Sequence, residues 1–590
     1  MNWVKRFQGR LAGLTNAIAR YPLTTLFLVA AAIVNAYGIS RDENVTVWLL
    51  TFVVGAFLGA VSQAVYERYF SKTSARLAFL AAVLVLTAGY YLVIKQAPEL
   101  SMELVIRTSV ALFALLIAFI WIPAIKSKIT FNQSFMITFK SLFNSLFFSG
   151  VIFAGIAIIL GTFSILISEV DFEAYWHTAN IVFVLFAPMY YLSLIPVFPG
   201  KAAGTASDER YEQVNKAAQC PKFLEILISY ILIPLIAAYT FILVIYILKN
   251  ITGEFWTDNL LEPMLVSYAI TVIIVYILAS DIENQFAIWF RKIFPKVLIP
   301  IVLFQIAASA LNIADMGVTH TRYFVILFGI FAAISGGLLS FLPVRKNGIV
   351  AALLILFSLV AIIPPVDAFT VSRASQVGLI EDVLERNNML QDGQIQANPS
   401  ISKDDKQTII HALQYLDFMG YTEKIAWLPE DFRLYQDFER VFGFSLDPHD
   451  SGDYKEPIHL WLNAAEPLHI GGYDYLLETY VFTGDDSEES FAIRAGGKTY
   501  QLKKEPRDGE ILLKLADENG KELIRLETGK IFEKYAGYSG KDMLSFEEAV
   551  FAVENDEAKL SVIVKDATVD IMDSAYNRAD IYVLIKIKRL

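Results

Sequence analysis

The chain has 590 residues, 55% of them hydrophobic and 18% charged, and a mean hydropathy of +0.48, a balance that excludes an ordinary soluble globular protein. The net charge of −11 is unevenly spread: residues 367–590 hold 42 acidic and 25 basic side chains, the rest of the chain 18 and 24. An acidic tail offers no basic face to a phosphate backbone, which excludes nucleic acid as a partner, and the single cysteine, Cys220, excludes an intrachain disulfide and cysteine-based zinc or iron–sulfur sites.

Residues 1–20 form a leader. Trp3, Val4, Phe7, Leu11, Leu14 and Ile18 recur at three- and four-residue spacing, with Lys5, Arg6 and Arg10 between them. This pattern predicts an amphipathic helix on the cytoplasmic leaflet, a disordered basic leader being the alternative. No cleavable signal peptide is visible, so the first apolar run is expected to be a retained signal anchor.

A transmembrane helical domain is expected over 21–366. About 20 apolar residues, at 1.5 Å of rise each, cover a hydrocarbon core of about 30 Å. Eleven runs qualify, near 21–38, 45–66, 77–95, 103–123, 142–167, 178–197, 224–248, 262–280, 297–313, 323–343 and 349–366. Each must be helical, because lipid offers no partner to a bare amide. The leader and alternate loops carry nineteen Lys and Arg, among them Arg68, Lys72, Lys126, Lys140, Lys216, Arg291 and Arg345. The opposite loops hold Arg41, Lys95, Lys249 and Arg322 and are otherwise acidic or polar. Basic loops stay cytoplasmic. The N-terminus is therefore expected in the cytoplasm, and an odd number of spans carries the tail to the other face.

Ionisable groups are nearly absent from the middles of the spans. Arg107, about one turn inside the fourth, is the exception. It either snorkels to the headgroups or contacts an anion or lipid head. In the sixth span Pro188 is followed by Tyr190 and Tyr191, and a mid-span proline frees a carbonyl and kinks the helix. Arg107, Pro188, Tyr190 and Tyr191 are therefore the candidates for an intramembrane cavity, with kinked packing as the alternative. Pro234 interrupts the seventh span and Pro300 begins the ninth. Gly55 with Gly59, and Gly336 with Gly337, allow close helix approach.

Residues 367–590 read as a soluble α+β domain. Helices are expected at 375–390, 402–418 and 431–442, the second opened by Ser402 and Asp405 as a capping box. Strands are expected at 458–462, 473–482, 490–495 and 498–504, then a hairpin about Asn519–Gly520, a short helix over 545–553, and strands at 559–565 and 580–588. The whole is a polytopic α-helical membrane bundle followed by an α+β domain with antiparallel sheet. His411, His449, His459 and His469, with Asp447, Asp450, Asp453 and Asp474, fit no ligand spacing, so no metal or cofactor is expected and polar surface is the reading. No nucleotide-binding, nucleophile-elbow or zinc-protease motif occurs, and no catalytic residue is nominated.

The blocks LFAPMYYLSLIP (185–196), ISYILIPLIAAYTFILVIYILKNI (228–251), LPVRKNG (342–348), ERNNML to IIHALQYL (385–416) and IGGYDYLLE (470–478) carry a resemblance. The layout resembles bacterial DUF4153 proteins, which have many spans and then an extracytoplasmic tail. The resemblance implies a bacterial inner-membrane protein and transfers no functional residue. Three functions fit. The first is an envelope protein, non-catalytic, whose 367–590 tail binds an envelope polymer or partner protein. The second is a transporter or lipid-handling protein with an intramembrane cavity. The third is a membrane enzyme on a lipid-linked substrate, for which Glu169, Asp171, His177 and His320 are the loop candidates.

Overall fold

A computed structural model describes residues 13–95, 101–201, 207–250, 261–429, 431–446, 458–463, 467–468, 470–484, 487–507, 510–536, 543–570 and 576–588. The leader lies mostly outside them; from residue 13 it is helical, and Ala17 is buried. The chain forms two compact units, Met1–Leu446 and Asp447–Leu590.

The first unit begins with helices α1 (Pro22–Arg41), α2 (Thr46–Tyr69), α3 (Thr73–Ile94), α4 (Met102–Trp121), α5 (Phe131–Leu166) and α6 (Glu173–Leu194). It continues with α7 (Ser207–Ala218), α8 (Lys222–Lys249), α9 (Leu261–Leu278), α10 (Gln285–Met316), α11 (His320–Phe341) and α12 (Gly348–Ile362). Among the described residues ten helices are long and apolar enough to cross a membrane; α7 is polar and α9 is shorter. The span expected near 262–280 is thus a short apolar helix. Tyr268, Ala269, Val272, Val275 and Tyr276 bury along one face of it, while Ile270 and Ile274 are exposed on the other.

Proline and glycine set the local shapes. Helix α10 runs unbroken through Pro295 and Pro300 from Gln285, where the sequence expectation started a span near 297; neighbouring helices make such prolines tolerable. In α6 and α8 a π-helical turn, 180–186 and 227–232, ends two residues before Pro188 and Pro234. Widening the turn relieves the clash between the proline ring and the carbonyl four residues back. Gly55 faces the Phe27 ring and Gly59 faces Thr24, so this pair seats α2 against α1. Gly336 meets the Pro295 carbonyl, while Gly337 has open space.

The tail begins with three helices that belong to the first unit: α13 (Ala368–Arg386), α14 (Lys403–Phe418) and α15 (Leu434–Phe442), with a small hairpin, β1 (Leu390–Gln391) and β2 (Gln394–Ile395), after α13. The tail read from sequence as 367–590 therefore has a helical part inside the membrane unit and a sheet part in the second. Ser402 accepts from the Asp405 amide as expected. Phe369, Ile380, Val383, Leu384, Ile409 and Leu413 bury together and meet Ile106, Tyr323 and Phe324 of the spans. Polar bonds pin the junction. Gln376 Nε2 donates to the carbonyls of Met316 (3.0 Å) and Val318 (3.2 Å). Ser375 Oγ accepts from the Val318 amide at 2.9 Å. The Tyr415 hydroxyl accepts from the His320 amide and donates to Ser372 Oγ, both at 3.0 Å.

The second unit pairs two sheets. One orders β4 (Tyr475–Phe482), β12 (Arg578–Ile587), β11 (Ala558–Val569), β3 (Ile458–Leu462) and β9 (Met543–Leu544), with β10 (Val550–Glu554) on β11. The other is the meander β5 (Glu489–Ala495), β6 (Lys498–Arg507), β7 (Glu510–Ala516) and β8 (Glu522–Glu527). All pairings are antiparallel except β3 with β9. Helix α16 (Gly529–Ala536) packs Ile531, Phe532 and Tyr535 into the shared core. The helix expected over 545–553 is a single turn, α17 (Phe546–Ala549): its capping box of Ser545 and Glu548 starts it, and Val550–Val553 pair with β11 instead.

Candidate functional site

A large void lies within the spans of the first unit. It has a volume of about 760 Å³ and is walled by α4, α5, α6, α9, α11 and α12 with Phe57 of α2, a size within the range of about 300–1,000 Å³ common to small-molecule sites. Helices α5 and α12 contribute their first turns and α4 its last, so the cavity occupies the half of the bundle nearest the basic loops. Phe131, Phe135, Phe139, Leu142 and Leu146 descend α5 at helical spacing as one wall. Ile270, Ile273, Ile274 and Ile277 of α9 supply another. Its rim is on the lipid-facing surface: Leu142, Leu146, Phe183 and Ile270 are all exposed, Leu146 by half.

Few polar atoms reach this wall. Ser145 Oγ donates to the Ala187 carbonyl at 2.6 Å, tying α5 to the proline turn of α6. The Tyr191 hydroxyl is buried beside Thr138 without a well-formed hydrogen bond. A lining this apolar does not hold water stably and favours a hydrocarbon occupant. Helix α6 is held from behind by Asn180, whose Nδ2 donates to the Ala32 carbonyl at 2.7 Å and whose Oδ1 accepts from Asn35 at 3.0 Å.

The four residues singled out from sequence separate accordingly. Pro188 and Tyr191 line the cavity. Tyr190 is buried next to it, stacked on Phe186 with centroids 5.5 Å apart and edge-on to Phe148. Arg107 lies toward the other end of α4, in an ion cluster that joins the spans to the tail. Its Nη2 meets Asp367 Oδ1 at 2.6 Å and Glu103 Oε1 at 2.8 Å, its Nη1 donates to the Ile362 carbonyl, and its guanidinium stacks 4.9 Å from the Phe369 ring centroid. The Tyr421 hydroxyl donates to Glu103 Oε2 at 2.8 Å. Asp367 also caps α13, accepting from the Phe369 and Thr370 amides. Burial alone would raise the Asp367 carboxyl, but the bonds from Thr370 and Phe369 and the Arg107 charge hold it below the usual carboxylate range. Burial and the Glu103 carboxylate push the Tyr421 phenol well up.

Sequence reasoning passed over Glu103, Asp367 and the α5 stripe. Signals for all three were present: Glu103 and Arg107 are four apart, Asp367 follows a proline pair at a helix start, and the stripe has helical period. Of the loop candidates for catalysis, Asp171 accepts from the Glu173 amide, His177 meets Ser40 at 3.1 Å, and His320 stacks on Phe369 and Tyr415. His449, His469, Asp447, Asp450 and Asp453 lie outside the described residues. His411 stands on α14, and His459 on β3 meets Thr568 at 3.1 Å. Among the described residues no group of three or more His, Cys, Asp or Glu side chains is arranged to hold a metal ion.

Fold and cavity together define a multi-pass integral membrane protein with an apolar chamber among its helices. The family model DUF4153, described as a domain of unknown function, matches residues 23–401, and the chain belongs to that family. The match takes in all the spans and ends at Ile401, before the sheet unit. No curated protein and no solved structure matches the chain.

Proposed function

We propose that the protein binds a lipid-like amphiphile in its intramembrane cavity and handles that molecule in the bacterial inner membrane. The observation that carries this reading is the cavity itself: about 760 Å³, almost wholly apolar, with Leu142, Leu146, Phe183 and Ile270 exposed at its rim. A molecule can enter it sideways from the bilayer without crossing water. In this reading the basic loops and N-terminus are cytoplasmic and the tail is outside, following the segregation of Lys and Arg. The experiment is native mass spectrometry of the full chain released from nanodiscs. One tightly held lipid is expected, and Leu146→Trp, which fills the rim from an exposed position, is expected to remove it at unchanged thermal stability. A wild-type protein that emerges and remains lipid-free on re-addition overturns the reading.

A second reading concerns the sheet unit as a receptor for an envelope polymer or partner protein. It is favoured by Trp461 and Met543, register neighbours on β3 and β9 that are both exposed. Adjacent exposed apolar side chains of this size mark interaction surfaces.

A further inference from the structure

Beside the apolar chamber lies a second apolar void, of about 170 Å³. Val110 of α4, Phe324 and Leu327 of α11, and Phe357, Ser358 and Ala361 of α12 line it. Phe113, Phe328, Phe331 and Leu354 line both voids, so the two adjoin across these four residues. Helix α12 packs against both α4 and α11. The hydroxyl of Ser358 is used within its own helix, donating to the Leu354 carbonyl at 2.8 Å.

Each of the three helices carries both linings on a single face. At about 100° of turn per residue, Val350, Ala351, Leu354, Phe357, Ser358 and Ala361 of α12 fall within an arc of about 120°. Val110, Phe113, Leu116, Ile117 and Ile120 of α4 fill an equal arc, and Phe324, Leu327, Phe328 and Phe331 of α11 a narrower one. A separate polar pocket of about 510 Å³, lined by Glu262, Arg322 and Gln376 among others, is no part of this path: Arg322 lies on the opposite face of α11 from Phe331. Depth decides what fits. At 1.5 Å of rise per residue the chamber alone extends about 22 Å along α5, from Phe131 to Leu146. One leaflet of a core of about 30 Å is about 15 Å deep. The second void continues away from the basic loops, to Ala361 beside the end of α12 and to Phe324, about 6 Å from the start of α11. The two linings together pass the bilayer midplane.

We infer that the adjoining voids bind one polyisoprenoid chain, a hydrocarbon longer than one leaflet is deep, with an anionic head at the basic end. This rests on the lipid-binding reading of the chamber and names the class of its ligand. The acyl chains of ordinary phospholipids end near the midplane and leave the second void empty; a polyisoprenoid continues into it. The neck between the voids is passed at Phe113, which is 44% exposed and the least packed of the four shared residues. Affinity grows with each isoprene unit that leaves water or lipid for the wall, and stops growing when both voids are full. Arg345 and Lys346 are exposed in the turn ahead of α12, whose first turn lines the chamber, and suit a phosphate head.

The test is competitive binding to the full chain, by native mass spectrometry, of farnesyl, geranylgeranyl and undecaprenyl phosphate, which share a head and differ in chain length, with dioleoyl phosphatidylglycerol as the two-chain competitor. Wild type is expected to prefer undecaprenyl phosphate at least fivefold over each of the others. Leu327→Trp and Val110→Trp each fill the second void from a half-buried position. Both are expected to bring undecaprenyl phosphate down to the level of geranylgeranyl phosphate and to leave farnesyl phosphate unchanged. Partitioning into detergent also rises with chain length, so the variants decide; if one does not fold, the other carries the test. Equal binding of the three chain lengths, a length preference that survives the tryptophan, or a preference for phosphatidylglycerol overturns the polyisoprenoid assignment and leaves the chamber reading intact. Absence of any bound lipid overturns both.

Discussion

Asp367 is fully buried, and its Oδ2 accepts no hydrogen bond while its Oδ1 meets Arg107 and two amides. A buried carboxylate in that position depends on its cation. Removing one partner of such a pair costs about 3–5 kcal/mol, because the charge left behind is uncompensated. Arg107→Ala should therefore destabilise the junction between spans and tail by that order, read as a lower thermal midpoint and faster protease cleavage between α12 and α13. Arg107→Lys should recover only part of it, since an ammonium cannot reach Asp367, Glu103 and the Ile362 carbonyl at once. The pH dependence has a definite sign. The folded carboxyl titrates below its unfolded value of about 3.9, so its contribution is complete above that value and is lost as pH falls through the lower one. The wild-type junction should hold from neutral pH down to about pH 4 and loosen only below it. Arg107 shows why a lone intramembrane charge was readable as a feature but not as a role: its partner Asp367 is 260 residues away in sequence.

The turn between α10 and α11 depends on a single glycine. Gly317 ends α10 with φ +68° and ψ 179°, a combination open to glycine and strained for other residues. A Cβ there would also stand 2.8 Å from Gln376 Nε2 and 3.3 Å from Ser375 Oγ, the two side chains that fasten α13 to this turn. Gly317→Ala should cost about 1–3 kcal/mol of backbone strain and loosen α13, whereas Gly337→Ala, inside a helix and with open space around its Cβ, should leave stability unchanged or raise it by up to about 1 kcal/mol. Thermal unfolding in detergent separates the two. At this scale sequence reading succeeded where periodicity is strong and failed where tertiary neighbours decide. The spans, the Ser402 cap and the hairpin at Asn519–Gly520 follow from local chemistry. The two π-helical turns and the passage of α10 through Pro295 and Pro300 do not, because a proline marks a break only until packed neighbours absorb it. Likewise Pro188 pointed to the cavity, while most of its wall comes from ordinary Phe, Leu and Ile that look like any span.

Over the whole chain, one physical regularity bears on every functional reading: the two ends of the bundle differ in charge. At the basic end Arg68 donates to the carbonyls of Ile125, Lys126 and Pro199, and Arg20 pairs with Glu67 at 2.8 Å, so these cations also fasten loops to one another. The polar pocket and the helical tail lie at the other end. If the basic end faces the cytoplasm, the polar pocket lies toward the outer leaflet and the sheet unit faces the envelope. The single native cysteine makes this testable with one substitution. Cys220 follows α7 in a basic loop and is half-buried. Asn519 sits in the β7–β8 turn, where its side chain is exposed. In intact cells a membrane-impermeant maleimide should label Asn519→Cys and spare Cys220; after permeabilisation both should react, the half-buried Cys220 more slowly. Labelling of Cys220 alone before permeabilisation would invert the molecule. The tail would then be cytosolic, and the receptor reading of Trp461 and Met543 would fall.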